Sequence, residues 1–156
     1  MLLPHIEQQW RDFDIQFDNK LKIGFDVHGV LDTHFNKYTQ LISCFDRSKI
    51  EIHIVTGIKE HLGLQDNPEL KDLQYDKWFS IHEYCEKLGV DIKFDNKNRP
   101  LIDPSIWDVQ KAEYCKREGI MFLFDDSPHY GKHMHESIVY LQQHNNNKDN
   151  WRYNIN

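Results

Sequence analysis

Short apolar runs alternate with amphipathic stretches along this chain, and the alternation sets the expected elements. Residues 21–25 (LKIGF), 50–57 (IEIHIVTG) and 120–124 (IMFLF) are apolar or β-branched and short, as central strands are. Residues 15–17, a polar Asp-Asn-Lys turn and residues 21–25 predict an opening hairpin. In 35–45, Phe35, Tyr38, Leu41, Ile42 and Phe45 recur at three- and four-residue spacing, which predicts a helix with one apolar face. Residues 58–64 predict a short helix, and 65–72 (QDNPELKD) a polar surface loop. A strand over 78–81 and a helix over 82–88 that stops at Gly89 follow. Residues 90–94, a polar DNKN turn and residues 99–102 predict a small hairpin. Asp103 as cap and Pro104 at the first position start a helix that runs to Glu118 and ends at Gly119. Residues 137–142 predict a last strand or helix end.

Strand–helix alternation with nearly continuous apolar strands predicts an α/β domain, its mostly parallel sheet covered on both faces. Residues 1–156 form one expected domain, and the asparagine-rich stretch 144–156 is expected to be a flexible polar tail. Ligands of such sheets bind at the carboxyl ends of the strands, near a topological switch. Asp26, Thr56, Asp125 and Asp126 all fall at those ends.

Composition changes this picture only at its edges. No apolar run approaches the ~20 residues of a membrane span, and MLLPHIEQQW lacks the cationic start of a signal peptide. Cys44, Cys85 and Cys115, odd in number and without C-x-x-C spacing, predict free thiols, small and buried, in a reducing cytoplasmic compartment. The net charge of −6 argues against a general nucleic-acid binder and leaves phosphorylated substrates open. No G-x-x-x-x-G-K-[ST] loop is present, which disfavours a P-loop nucleotide binder.

The chemistry-bearing residues then stand out. Asp26 leaves a strand into a loop where Gly29 permits a tight turn and close approach to a ligand. A carboxylate there can divide phosphoester hydrolysis into two easier displacements. Mg²⁺, which takes oxygen ligands, would screen the carboxylate from the phosphoryl oxygens. Two adjacent carboxylates, Asp125 and Asp126, end an apolar strand, which is costly without a cation or hydrogen bonds. Thr56 and the Gly57 amide end another strand and can hydrogen-bond phosphoryl oxygens.

The segment DVHGVLD (26–32) resembles the first motif of the haloacid dehalogenase (HAD) superfamily, a strand ending in D-x-D-G-x-L or a near variant. IHIVTG, KAEYCKREGIMFLFDDSP and FLFDDSPHYG resemble the later motifs in order, so the likeness spans 22–131. It implies a HAD-like Rossmannoid three-layer sandwich with little or no cap, and a Mg²⁺-dependent phosphatase working through an aspartyl-phosphate. It implies Asp26 as nucleophile and metal ligand, the His28 backbone carbonyl and Asp126 as further Mg²⁺ ligands, and Asp125 behind them. Thr56, Gly57 and a helical lysine would hold phosphate. Lys111 is preferred as that lysine, with Lys116 second, although a lysine on a helix ordinarily marks a solvated face.

His28 departs from the family, which usually has a second Asp there as general acid and base. A cationic imidazole beside Mg²⁺ and Lys111 is disfavoured, so a neutral His28 is expected, with slower turnover or a good leaving group. The alternative is a catalytically weak or inactive phosphate-binding or interaction protein. His129, His133 and His135 invite a zinc reading, but without H-E-x-x-H they are expected at the surface, or at the substrate in the case of His129. Thirty positions between Asp26 and Thr56 leave no room for a large cap. The hairpin at 90–102 is at most a minimal cap, over a largely open site. That suits a nucleotide, a nucleic-acid end, a phosphoprotein or another phosphomonoester. Trp78, Trp107, Phe94 and Arg99 are candidates to frame a base or sugar. A partner subunit is a further way to cover the site, so an oligomer is compatible.

Overall fold

The structure, a computed structural model, describes residues 20–146. Its elements are β1 (Leu21–Phe25), α1 (Phe35–Ser43), β2 (Ile50–Thr56), α2 (Glu60–Asp66), β3 (Lys77–Ser80) and α3 (Ile81–Lys87). The strands β4 (Lys93–Phe94) and β5 (Pro100–Leu101) follow, then α4 (Pro104–Trp107), α5 (Gln110–Glu118), β6 (Phe122–Asp125), α6 (Pro128–Gly131) and β7 (Val139–Gln142).

Five strands form one sheet in the order β3-β2-β1-β6-β7, and every pairing in it is parallel. Side chains alternate along each strand, so β2, β3 and β6 each feed two cores. Ile23, Phe25, Ile52 and Ile54 pack on one face with Tyr38 and Ile42 of α1. Val55, Phe79 and Leu123 pack on the other with Cys85 of α3 and Tyr114 and Cys115 of α5. The result is an α/β fold with a parallel sheet between two helical layers. The chain leaves β1 for β2 on one side, while β6 lies on the other. The switch point is therefore the gap between the ends of β1 and β6.

Several local expectations change. Leu21–Phe25 does not open a hairpin: β2 and β6 occupy both of its edges in parallel. The expected first hairpin strand, 15–17, lies outside the described residues. The polar stretch 65–72 is not all surface loop: Pro68–Leu73 winds into a 3₁₀ turn that buries Leu70 and Leu73 in the core. The single helix expected from Asp103 to Glu118 is two segments meeting at Asp108 and Val109. The backbone stays right-handed there, so Trp107 and Lys111 keep their four-residue relation. The capping forecast holds, with Asp103 Oδ1 accepting from the Ser105 amide at 2.9 Å. Cys44 is exposed, unlike Cys85 and Cys115, because it follows the apolar face of α1 rather than lying on it. No helix among the described residues is long and apolar enough to cross a membrane.

His53 is the polar exception inside β2. Its Nε2 lies 2.6 Å from Glu51 Oε1, and its Nδ1 lies 2.7 Å from the Tyr114 hydroxyl. A neutral ring satisfies both: Nε2–H donates to the carboxylate, and Nδ1 accepts from Tyr114, whose hydroxyl burial keeps protonated. Burial lowers the His53 pKa below 6.5, with Glu51 opposing. Below that value the unfolded chain takes up a proton that the folded chain resists. The stability owed to neutral His53 is therefore present above 6.5 and lost as pH falls through the lowered folded value. Urea unfolding between pH 7.5 and 5.5 should show wild type losing more stability than His53→Gln; equal losses would remove His53 as the cause.

Candidate active site

The loop after β1 is shaped by two requirements, burial of its apolar residues and passage close to β6. Val27, Val30 and Leu31 are fully buried and anchor it to the core. The Asp26 amide donates to the Phe124 carbonyl at 2.9 Å, which ties the end of β1 to β6. Asp26 is extended, and its Oδ1 accepts from the Val27 amide at 2.8 Å. The chain then makes a wide turn closed by Leu31 N–H to Asp26 O and Asp32 N–H to Val27 O. Gly29 supplies the positive φ of 77° that this turn needs, and a Cβ there would lie 2.2 Å from Asp126 Oδ2. The loop thus lies directly against the second acidic strand end.

Asp26, Asp125 and Asp126 each offer a carboxylate oxygen within a 4.8 Å group, the sole such metal-competent cluster among the described residues. Burial, then the Asp26 charge, pushes the Asp126 carboxyl up to about 6, with Lys111 opposing. Burial also pushes Asp125 upward, against the pull of Lys111. Lys111, only 1% exposed, places Nζ 2.9 Å from Asp26 Oδ2 and 2.6 Å from Asp125 Oδ2. These two carboxylates overcome the burial penalty and hold Lys111 protonated. The Tyr130 ring lies 4.2 Å from Nζ, and its hydroxyl accepts from Trp107 Nε1 at 2.9 Å. Lys116 lies at a separate surface pocket and takes no part.

Thr56 and Gly57 line the same cavity as Asp26 and Lys111. Thr56 is fully buried, yet its hydroxyl has no hydrogen-bond partner within the protein. Such an orphan costs free energy unless a ligand or water completes it. The donor set consists of hard carboxylate oxygens and so fits Mg²⁺. His133 and His135 line the separate pocket beside Lys116, away from these carboxylates.

His28 also lines the cavity, but differently from the expectation. Its side chain is 60% exposed, and Nδ1 lies 3.3 Å from Asp32 Oδ2. That hydrogen bond, with Asp26 and Asp32 adding to it, raises the His28 pKa above 6.5 rather than favouring the neutral form. Asp32 is itself fixed by the Gly29 amide at 2.8 Å and the Thr33 hydroxyl at 2.9 Å. The motif resemblance assigns Asp32 no role; its four-residue spacing from His28 is the signal for this contact.

Asn145 is the larger omission. Residues 144–146 are not a loose tail; 147–156 lie outside the described residues. Asn145 Nδ2 donates to the Gly29 carbonyl at 2.7 Å, and its Oδ1 lies 2.7 Å from His34 Nε2. It also hydrogen-bonds the Asp126 carboxylate and favours its charged form. The segment is delivered by Gln143, whose amide donates to Asp125 O at 2.8 Å and whose Oε1 accepts from Tyr38 at 2.6 Å. An asparagine-rich composition carries no local signal for such a contact.

No protein-family model matches the chain, and no curated protein matches it. Among solved structures, a mutant O-GlcNAc transferase of Thermobaculum terrenum is similar to it at 22% identity and a TM-score of 0.38. The likeness covers 72% of this chain and 17% of that one, and at that score it carries no argument.

Two substitutions test this geometry. Lys111→Met leaves buried carboxylates uncompensated and should cost about 3–5 kcal/mol in urea unfolding. Asn145→Ala should cost about 1–2 kcal/mol and speed amide exchange across 29–34. Unchanged exchange there would mean that Asn145 does not hold the loop.

Proposed function

We propose that this protein is a Mg²⁺-dependent phosphomonoesterase of HAD-like type that works through an aspartyl-phosphate. One observation carries the reading: a buried lysine on Asp26 shares a cavity with an orphaned threonine hydroxyl and three clustered carboxylates. A phosphoryl group would pair with Lys111 and accept from Thr56, which satisfies both. Asp26, Asp126 and the His28 carbonyl would hold Mg²⁺, with Asp125 behind them fixing Lys111. The ion would supply charge neutralisation between the carboxylate and the phosphoryl oxygens.

In the first displacement a carboxylate oxygen of Asp26 attacks phosphorus and the ester P–O bond breaks. The leaving alkoxide takes a proton from the His28 imidazolium and departs as an alcohol. In the second, water attacks the phosphoaspartate and gives its proton to His28. The bond from phosphorus to Asp26 breaks, and inorganic phosphate leaves. Asp32 keeps the His28 ring turned toward the cavity. The buried thiols of Cys85 and Cys115 suit a cytoplasmic location.

His28 at an Asp position also favours a second reading, a phosphate-binding protein with little or no turnover. Wild type and Asp26→Asn should be compared on a panel of phosphomonoesters, with and without Mg²⁺. The expected outcome is Mg²⁺-dependent release of phosphate that falls on the order of a thousandfold or more in the variant. Turnover that survives Asp26→Asn, or needs no metal, would sink the mechanism. Phosphate binding without turnover would favour the second reading.

A further inference from the structure

The cavity over Asp26 is about 960 Å³, the size of a site for a drug-sized or mononucleotide-sized molecule. Its lining is of two kinds. The carboxyl ends of β1 and β2 supply Asp26 and Thr56, and α5 supplies Lys111. The lining continues into α2, α3 and the β4–β5 hairpin, which present Leu62, His82 and Phe94, with the His82 amide donating to the Gly57 carbonyl at 3.2 Å. Phe94 keeps 40% of its surface exposed, and Leu62 37%. The Phe94 ring lies 4.8 Å from the His82 ring at an interplanar angle of 56°. Glu86 steadies that imidazole, with Oε1 3.1 Å from His82 Nε2.

The hairpin is a preformed wall. Asp95 Oδ1 accepts from the Lys97 and Arg99 amides at 2.8 and 2.9 Å, and Oδ2 accepts from Arg99 Nε at 2.6 Å. The Asp95 amide donates to Arg99 O at 3.0 Å, and the Asn98 amide to Asp95 O at 3.1 Å. Arg99 braces the tip through Nε, and both Lys97 and Arg99 line the cavity. A hydrogen-bonded hairpin that offers an exposed ring in the same cavity as a phosphate pole suits a flat group carried by the phosphate itself, since a pre-ordered surface loses little freedom on binding.

We infer that this wall is the leaving-group subsite, and that the substrate is a small phosphomonoester bearing a planar ring, of mononucleotide size or less. The inference rests on the phosphatase reading for its phosphate pole. Phe94 and His82 stack on or edge the ring, Leu62 covers its rim, and Lys97 meets polar atoms at its far side.

Adenosine 5′-monophosphate and ribose 5-phosphate differ by the ring and share the same ester chemistry, so their ratio isolates the subsite. Wild type should favour the nucleotide by about tenfold in kcat/KM, chiefly through KM. Phe94→Ala should bring that ratio close to one. Calorimetric titration of Asp26→Asn with the same two ligands reads the ring preference without turnover. A ring preference in binding with no catalysis would fail the phosphatase mechanism and keep the subsite. Catalysis with equal ratios, or a ratio untouched by Phe94→Ala, would overturn the subsite and keep the phosphatase. A 5′-phosphorylated oligonucleotide or a phosphotyrosine peptide turned over faster than the nucleotide would also overturn it.

Discussion

The ammonium of Lys111 sits out of water between two carboxylates, and much of the molecule is arranged around keeping it there. Asp26 arrives from the end of β1, Asp125 from the end of β6, and the lysine from α5. A buried charge is tolerable only when its partners are held in good geometry. Here the geometry is supplied by adjacent parallel strands and by α5 packing through Tyr114 and Cys115. Tyr130 closes the remaining side of the ammonium and is itself held by Trp107. The cation also limits the mutual repulsion of the three clustered carboxylates. The site and the core are therefore one construction: helix packing places the charge, and the charge permits the acidic strand ends.

The loop between β1 and α1 is the second constraint. It must bury Val27, Val30 and Leu31 while passing close enough to Asp126 that no side chain fits at Gly29. Asn145 completes the arrangement from the far end of the described chain, bridging the Gly29 carbonyl and His34. The first and last strands to enter the sheet thus meet at the same loop. His28 is left free to face the cavity, and Asp32 sets its direction from one turn away.

The cavity lining combines buried charge at Asp26 and Lys111 with exposed ring and aliphatic surface at Phe94 and Leu62. The two kinds of lining come from different parts of the chain, strand ends and α5 for the charges, and the α2, α3 and hairpin segments for the rest. The hairpin contributes through turn chemistry at Asp95 rather than through burial, which explains how so short a ladder holds its shape.

Local spacing made a good part of this visible. Apolar runs of strand length located β1, β2 and β6, and period-four spacing located α1. The energetic cost of Asp125 and Asp126 ending an apolar strand marked them without any knowledge of their neighbours. Gly29 was legible as a close approach, though not what it approached. What stayed hidden depended on neighbours in space. Lys111 and Lys116 occupy one helix five positions apart, and only the packing of α5 decides which is buried. Leu70 sits in a polar stretch and Leu73 just after it, and both become core by packing with Ile52, Ile54 and Trp78. His28 gained its charge preference from Asp32, and Asn145 its role from β7 lying beside β6. By itself the sequence determined the central strands, the helix α1 and the acidic strand ends, because periodicity and burial cost are properties of a segment. The order of the strands, the choice of lysine and the reach of Asn145 were decided only by the tertiary structure, because each is a contact between segments that no local pattern encodes.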